Sequence, residues 1–204
     1  MADLATQYPT SPQFTTVGFK IITPTIQTET FSGKSRRVGF GVSYYAWEAR
    51  YPSMTPAQFS PLQGFIGQTF GSLYSFEIVL PKVSYTKLTS NVASGASTSQ
   101  TIAAGAVSVT LTGAGANKNI LAAGDFFKFN NHSKVYMCVS NCVANGSGTA
   151  TLYFSGATVA SVPSGTALTL TAVPFTATFI ESLNEFDIGV GGLASMGVRM
   201  REVW

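Results

Sequence analysis

His132 is the only histidine in the chain, so any Ser–His or Cys–His catalytic pair would need it as the base. It stands in Asn130-Asn131-His132-Ser133, turn-forming residues between two apolar runs, where a solvated turn residue is expected. Paired carboxylates for glycoside hydrolysis could be drawn from Glu48, Glu77, Asp125, Glu181, Glu185 and Asp187. Glu181, Glu185 and Asp187 crowd into one short stretch, the pattern of a solvated acidic loop. Cys138 and Cys142 with one distant histidine fall short of a zinc site. On one strand these thiols would lie about 13 Å apart, beyond the ~7 Å bridging limit unless a turn intervenes. Free, partly buried thiols are expected. The glycines at 189, 191 and 192, at 105, and at 113 and 115 lack the following helix and lysine of a phosphate loop. No signature of catalysis, metal binding or a cofactor emerges, and the expectation is a protein that is not an enzyme.

Composition points the same way. Only 10% of the 204 residues are charged, against about 25% in a typical soluble domain. A monomer of this mass exposes roughly 9,000 Å², or about one charge per ~440 Å². The 22 serines and 24 threonines must wet much of that surface, and large areas are expected to be buried against partners. Hydrophobic and aromatic contents of 45% and 12% are ample for an ordered core. A net charge of +3 is too weak to suggest nucleic-acid binding. The single basic cluster, Lys34, Arg36 and Arg37, reads as a loop tip. No apolar run reaches the ~18 residues of a membrane span. The N-terminus has no basic stretch leading into an apolar one, so no signal peptide is expected and synthesis in a cytoplasm without export follows.

Among the elements that must carry these residues, one helix stands out. Phe59, Leu62, Ile66 and Phe70 recur at spacings of three and four. Two capping boxes compete for its start, Thr55-Pro56-Ala57-Gln58 and Ser60-Pro61-Leu62-Gln63. The second keeps Pro61 out of the helix interior, which predicts a helix over Pro61–Phe70 stopped by a left-handed Gly71, with the first box adding at most a leading turn.

Elsewhere the period is two. Val38, Phe40, Val42, Tyr44 and Ala46 alternate with Gly39, Gly41, Ser43, Tyr45 and Trp47, predicting one long strand from Ser35 to Tyr51. Its glycine pair is where a bulge or strong bend would fall. Thr25–Phe31 is its hairpin partner, with Ser32-Gly33-Lys34 as the turn. Rings on both faces at Tyr44, Tyr45 and Trp47 suggest core plus a subunit contact, or, alternatively, a sugar-stacking platform. Strands are also expected around Tyr74–Leu80, Phe175–Phe179 and Met196–Met200.

Between Tyr85 and Pro174 the composition changes. A small-residue segment, Asn91–Gln100, precedes five short strands: Ala106–Thr112, Asp125–Phe129, Lys134–Val139, Thr149–Phe154 and Ala167–Val173. Asn145-Gly146 is a turn signal among them. The expected fold is mainly β, a β-sandwich or barrel with one α-helix. Residues 1–84 with 175–204 form the first domain, and 85–174 an inserted small β-barrel or sandwich module.

Two stretches resemble structural proteins of the tailed-phage tail tip. One runs from Phe31-Ser32-Gly33-Lys34-Ser35-Arg36-Arg37 through Tyr51-Pro52-Ser53-Met54 to Phe76-Glu77-Ile78-Val79-Leu80-Pro81. The other joins Leu121-Ala122-Ala123-Gly124-Asp125-Phe126-Phe127-Lys128-Phe129, Lys134-Val135-Tyr136 and Asn145–Leu152. The resemblance implies a tail-tube-like β domain and a distal-tail or baseplate ring, a homo-oligomer of hexameric form, in the virion. Tail-tube, hub or tip proteins and fibres would be its partners, and DNA would only pass through the lumen. It also implies a subunit-contact hairpin with Lys34, Arg36, Arg37, Tyr45 and Trp47, and a helix packed through Phe59, Leu62, Ile66 and Phe70. A tail-tube subunit is the neighbouring alternative, and a carbohydrate-binding host-recognition module the more distant one.

Overall fold

A computed structural model describes residues 7–181, 186–189 and 191–204. The candidate acid Glu185 lies outside the described residues. The elements follow one another as β1 (Thr16–Ile22), β2 (Thr25–Glu29), β3 (Ser35–Gly39), β4 (Tyr44–Arg50), α1 (Pro56–Thr69), β5 (Phe76–Ile78), β6 (Ser97–Thr98), β7 (Ser108–Thr112) and β8 (Asn119–Leu121). Then come β9 (Phe126–Phe129), β10 (Val135–Cys138), β11 (Cys142–Val143), β12 (Ala150–Ser155), β13 (Leu168–Thr169), β14 (Phe175–Phe179), β15 (Phe186–Ile188) and β16 (Ala194–Glu202). The protein is mainly β, with a single helix among the described residues.

The chain forms two compact units, one from the described parts of residues 1–21, 45–81 and 174–204, the other from 22–44 and 82–173. Residues 22–44, assigned from sequence to the first domain, therefore cluster with the second unit. The long strand expected over Ser35–Tyr51 is two strands, because the chain turns at Gly41, whose φ is +73°. The bend lets the Ala157 N–H donate to the Gly41 carbonyl at 2.7 Å.

In the first unit, the strands run β1-β4-β16-β14-β5, with β15 added beside β16. Strand β16 shows why period two matters. Ala194, Met196, Val198 and Met200 are buried, whereas Ser195, Gly197, Arg199 and Arg201 between them are exposed. Met200 lies opposite Trp47 on one side and Phe179 on the other, so one apolar row crosses three strands. Phe175 meets Trp47 edge-on at 5.5 Å between ring centroids.

Helix α1 starts five residues earlier than expected. Gln58 Oε1 accepts the Thr55 N–H at 3.0 Å, so the first capping box is the one used. Pro61 consequently sits inside the helix. The missing N–H leaves one exposed carbonyl, at Ala57, without its helical donor, while the extra turn brings Phe59 into the core. The buried face is Phe59, Leu62, Phe65 and Thr69. Ile66 is only half-buried, and Phe70 is not a packing residue at all. Phe70 is 68% exposed and is itself the left-handed cap, at φ 47°. Phe65 takes the expected place of Ile66, meeting Phe76 and Tyr8 at 5.1 Å each.

In the second unit, the strands run β13-β9-β10-β12-β7-β6. A bridge between Ser97 and Ala167 brings the two ends together, with the Leu168 N–H donating to the Ala96 carbonyl at 3.0 Å. The sheet is thus nearly closed into a small barrel, filled by Leu111, Phe127, Phe129, Tyr136, Leu152 and Phe154. The small-residue segment Asn91–Gln100 supplies β6, a strand not expected there. Short β8 and β11 pair with each other outside the barrel path. The strand expected over Ala167–Val173 shrinks to β13, since Ala172 takes a positive φ of 49°.

Candidate assembly interface

The β2–β3 hairpin carries the basic cluster. Its turn is closed by a bond from the Thr30 N–H to the Lys34 carbonyl (2.9 Å), with Gly33 at φ +75°. Ile26 pairs with Val38, Gln27 with Arg37 and Thr28 with Arg36. Directly paired residues share a face, so Arg36 belongs to the face of Ile26 and Val38, and Arg37 to the other. All ten strand residues are exposed. Ile26, Val38 and Phe40 are 54%, 61% and 59% exposed, and Phe31 at the tip is fully so. The ribbon pairs with no other strand among the described residues. A lone two-stranded ribbon is marginal in water, and open edges invite pairing with another chain.

Charge is divided between the units. The second unit holds eight Lys and Arg against Glu29 and Asp125, a net of +6. The first holds four against seven acids, a net of −3. A hairpin bearing Lys34, Arg36 and Arg37 is therefore complementary in charge to the first unit of another copy.

Tyr45 and Trp47 are not part of any exposed surface. They lie on β4 and are 0% and 1% exposed, filling the core of the first unit against Phe175 and Phe19. Their expected role as contact residues, or as a sugar platform, is corrected by this burial. The exposed apolar side chains of this region are instead Ile26, Val38 and Phe40. Ile26 was legible only as part of a strand, because nothing in its own neighbourhood says that the facing side stays open.

Two of the candidate acids, Glu48 and Glu181, meet on one guanidinium. Glu48 bonds Arg50 at 3.3 Å and lies 3.7 Å from Arg199, which also holds Glu181 at 2.9 Å. Asp187 is exposed on β15. Asp125 is fully buried and accepts from Thr86 Oγ1 (2.6 Å), the Lys87 and Ala122 N–H groups (3.0 Å each) and Lys87 Nζ (3.2 Å). Burial pushes its pKa up, but these hydrogen bonds outweigh it and hold the carboxyl below its ordinary range. It is a tie between segments. His132 is also more than a solvated turn residue: it is half-buried and bonded to Tyr136. Cys138 and Cys142 are free and buried. Among the described residues, no three His, Cys, Asp or Glu gather as metal ligands, and no helix is long and apolar enough to cross a membrane.

No protein-family model matches the chain, and no curated protein matches it either.

Proposed function

We propose that the protein is a structural subunit of a phage tail, forming a ring at its distal end that joins the tail tube to the tip, baseplate and fibres. The β2–β3 hairpin is the arm that holds neighbouring copies together. The observation that carries this reading is the ribbon itself: ten exposed strand residues, an exposed apolar Ile26–Val38 pair, and no strand partner among the described residues at either edge. The opposite net charges of the two units favour a head-to-tail contact, which closes into a ring when the rotation allows. The likeness of Phe31–Pro81 and Leu121–Leu152 to tail-tip proteins supports the placement in a virion.

Native mass spectrometry and negative-stain images of the full chain test it. Rings or short stacks, most simply hexameric, are expected, while long homotypic tubes would make the protein a tube subunit instead. A monomer at every concentration, with hairpin amides exchanging as freely as an unfolded peptide, overturns the assembly reading.

A further inference from the structure

His132, in the turn between β9 and β10, is joined on both ring nitrogens. Nδ1 lies 2.9 Å from Asn131 Oδ1, and Nε2 lies 2.9 Å from the Tyr136 hydroxyl. The direction of each bond follows from its neighbours. Asn131 Nδ2 donates to the Ser161 carbonyl at 3.0 Å, so its Oδ1 is the atom facing His132 and Nδ1 carries the proton. In the neutral ring Nε2 is then an acceptor, and the Tyr136 O–H donates to it. The same hydroxyl oxygen accepts the Val159 N–H at 3.1 Å. Asn131 and Tyr136 thus each hold the Val159–Ser161 loop directly, and the imidazole links the two side chains.

We propose that the His132–Tyr136 contact is an acid-sensitive latch: protonation of the imidazole loosens the Val159–Ser161 loop at this end of the barrel, while the loop's two flanks stay anchored. A proton on Nε2 sets two donors head to head. Tyr136 must turn its O–H aside and accept from Nε2, in competition with the Val159 N–H. The flanks do not depend on this bond. Thr158 is tied to Ala103, Gly105 and Ala106 by four bonds of 2.8–3.0 Å, and Val162 exchanges two 2.9 Å bonds with Ile102.

The surrounding charges act in the same sense. Lys128 on β9 and Lys134 just before β10 both disfavour a second cation here. Tyr136 is the titratable group facing the ring from β10, and Phe129 from β9 places its ring 5.7 Å away. Residues 157–162 carry no ionisable side chain. Of the unit's two acids, Asp125 is committed to Thr86 and Lys87, and Glu29 lies on the hairpin. Burial first, then Lys128 and Lys134, hold the imidazole below its ordinary pKa. The unfolded chain therefore binds the proton more readily. The latch contributes fully above about pH 6.5 and weakens as pH falls from there through the lower folded value.

Because the chain has one histidine, a single imidazole resonance in the NMR spectrum of the full-length protein reports the titration directly. Its midpoint is expected below that of free histidine. Protection of the Val159 amide against hydrogen exchange is expected to fall with the same midpoint, while the Ile102 and Val162 amides keep theirs. His132→Gln should make Val159 protection independent of pH. Tyr136→Phe should raise the midpoint, by removing the donor to the neutral ring. A midpoint at or above about 6.5 overturns the proposal, as does an unchanged pH profile of Val159 in His132→Gln. If Tyr136→Phe does not fold, the wild-type titration and His132→Gln still decide.

Discussion

Thr86 Oγ1 stands 2.6 Å from Oδ2 of Asp125, although 39 residues separate them in the chain. The carboxylate is fully buried and receives three further bonds, from Ala122 and Lys87. One side chain thereby pins the segment entering the second unit to the turn before β9. Asp125→Asn turns an acceptor into a donor among these donors and should cost about 3 kcal/mol in urea denaturation. Lys87→Met should cost less than about 1 kcal/mol, since Lys87 is half exposed.

Acid titration tests the same group. A carboxyl held below its ordinary range stabilises the fold fully above the unfolded value of about 3.9, and that stability is lost as pH falls through the lower folded value. Wild type should lose stability below about pH 4 more steeply than Asp125→Asn. Parallel pH curves for the two proteins would show that Asp125 is not the responsible group.

The hairpin prediction is electrostatic. Arg36→Glu with Arg37→Glu should weaken self-association about tenfold or more by sedimentation velocity. Association of the wild type should fall as salt rises. The fold itself should change by no more than about 0.5 kcal/mol, because both positions are exposed. Unchanged assembly in the charge-reversed protein would remove the hairpin from the contact.

Helix α1 offers a sharp comparison. With Pro61 inside it, Pro61→Ala restores a backbone donor and should stabilise the protein by about 1–3 kcal/mol. Gln58→Ala removes the acceptor of the Thr55 N–H and should cost about 0.5–1 kcal/mol. A helix beginning at Pro61 would give the opposite ranking in equilibrium unfolding.

The thiols should be inert. Burial, and secondarily Cys138, push the Cys142 thiol up to about 12, and burial raises Cys138 as well. At pH 8 only about one Cys142 in 10⁴ is then thiolate. Reaction with a disulfide reagent should be slow in the native protein and rapid for both cysteines once it is unfolded. Rapid labelling of the native state would contradict the burial of the pair.

Short-range chemistry was legible where it acts alone. The alternation in Ala194–Glu202, the turn at Ser32-Gly33-Lys34 and the change of composition after Pro81 each announce their element. The helix start was not, because two capping boxes satisfy the same local rules. The choice depended on how much Phe59 gains from the core. Tyr45 and Trp47 illustrate the same limit: an aromatic pair on a strand looks identical whether the facing side is protein or solvent.

The sequence by itself determined a β-rich, charge-poor chain with one helix, a basic hairpin and two free thiols, since residue type and period act over a few neighbours. Only the tertiary structure decided that the hairpin groups with the barrel unit and that its Ile26–Val38 face stays open. It likewise decided that Asp125 is a tie and that His132 is locked to Tyr136 and, through it, to Val159. Apart from the His132–Tyr136 contact, four residues apart, those facts depend on pairs such as Ile26–Val38, Tyr136–Val159 and Thr86–Asp125, 12, 23 and 39 residues apart, which strand pairing and tertiary contact bring together.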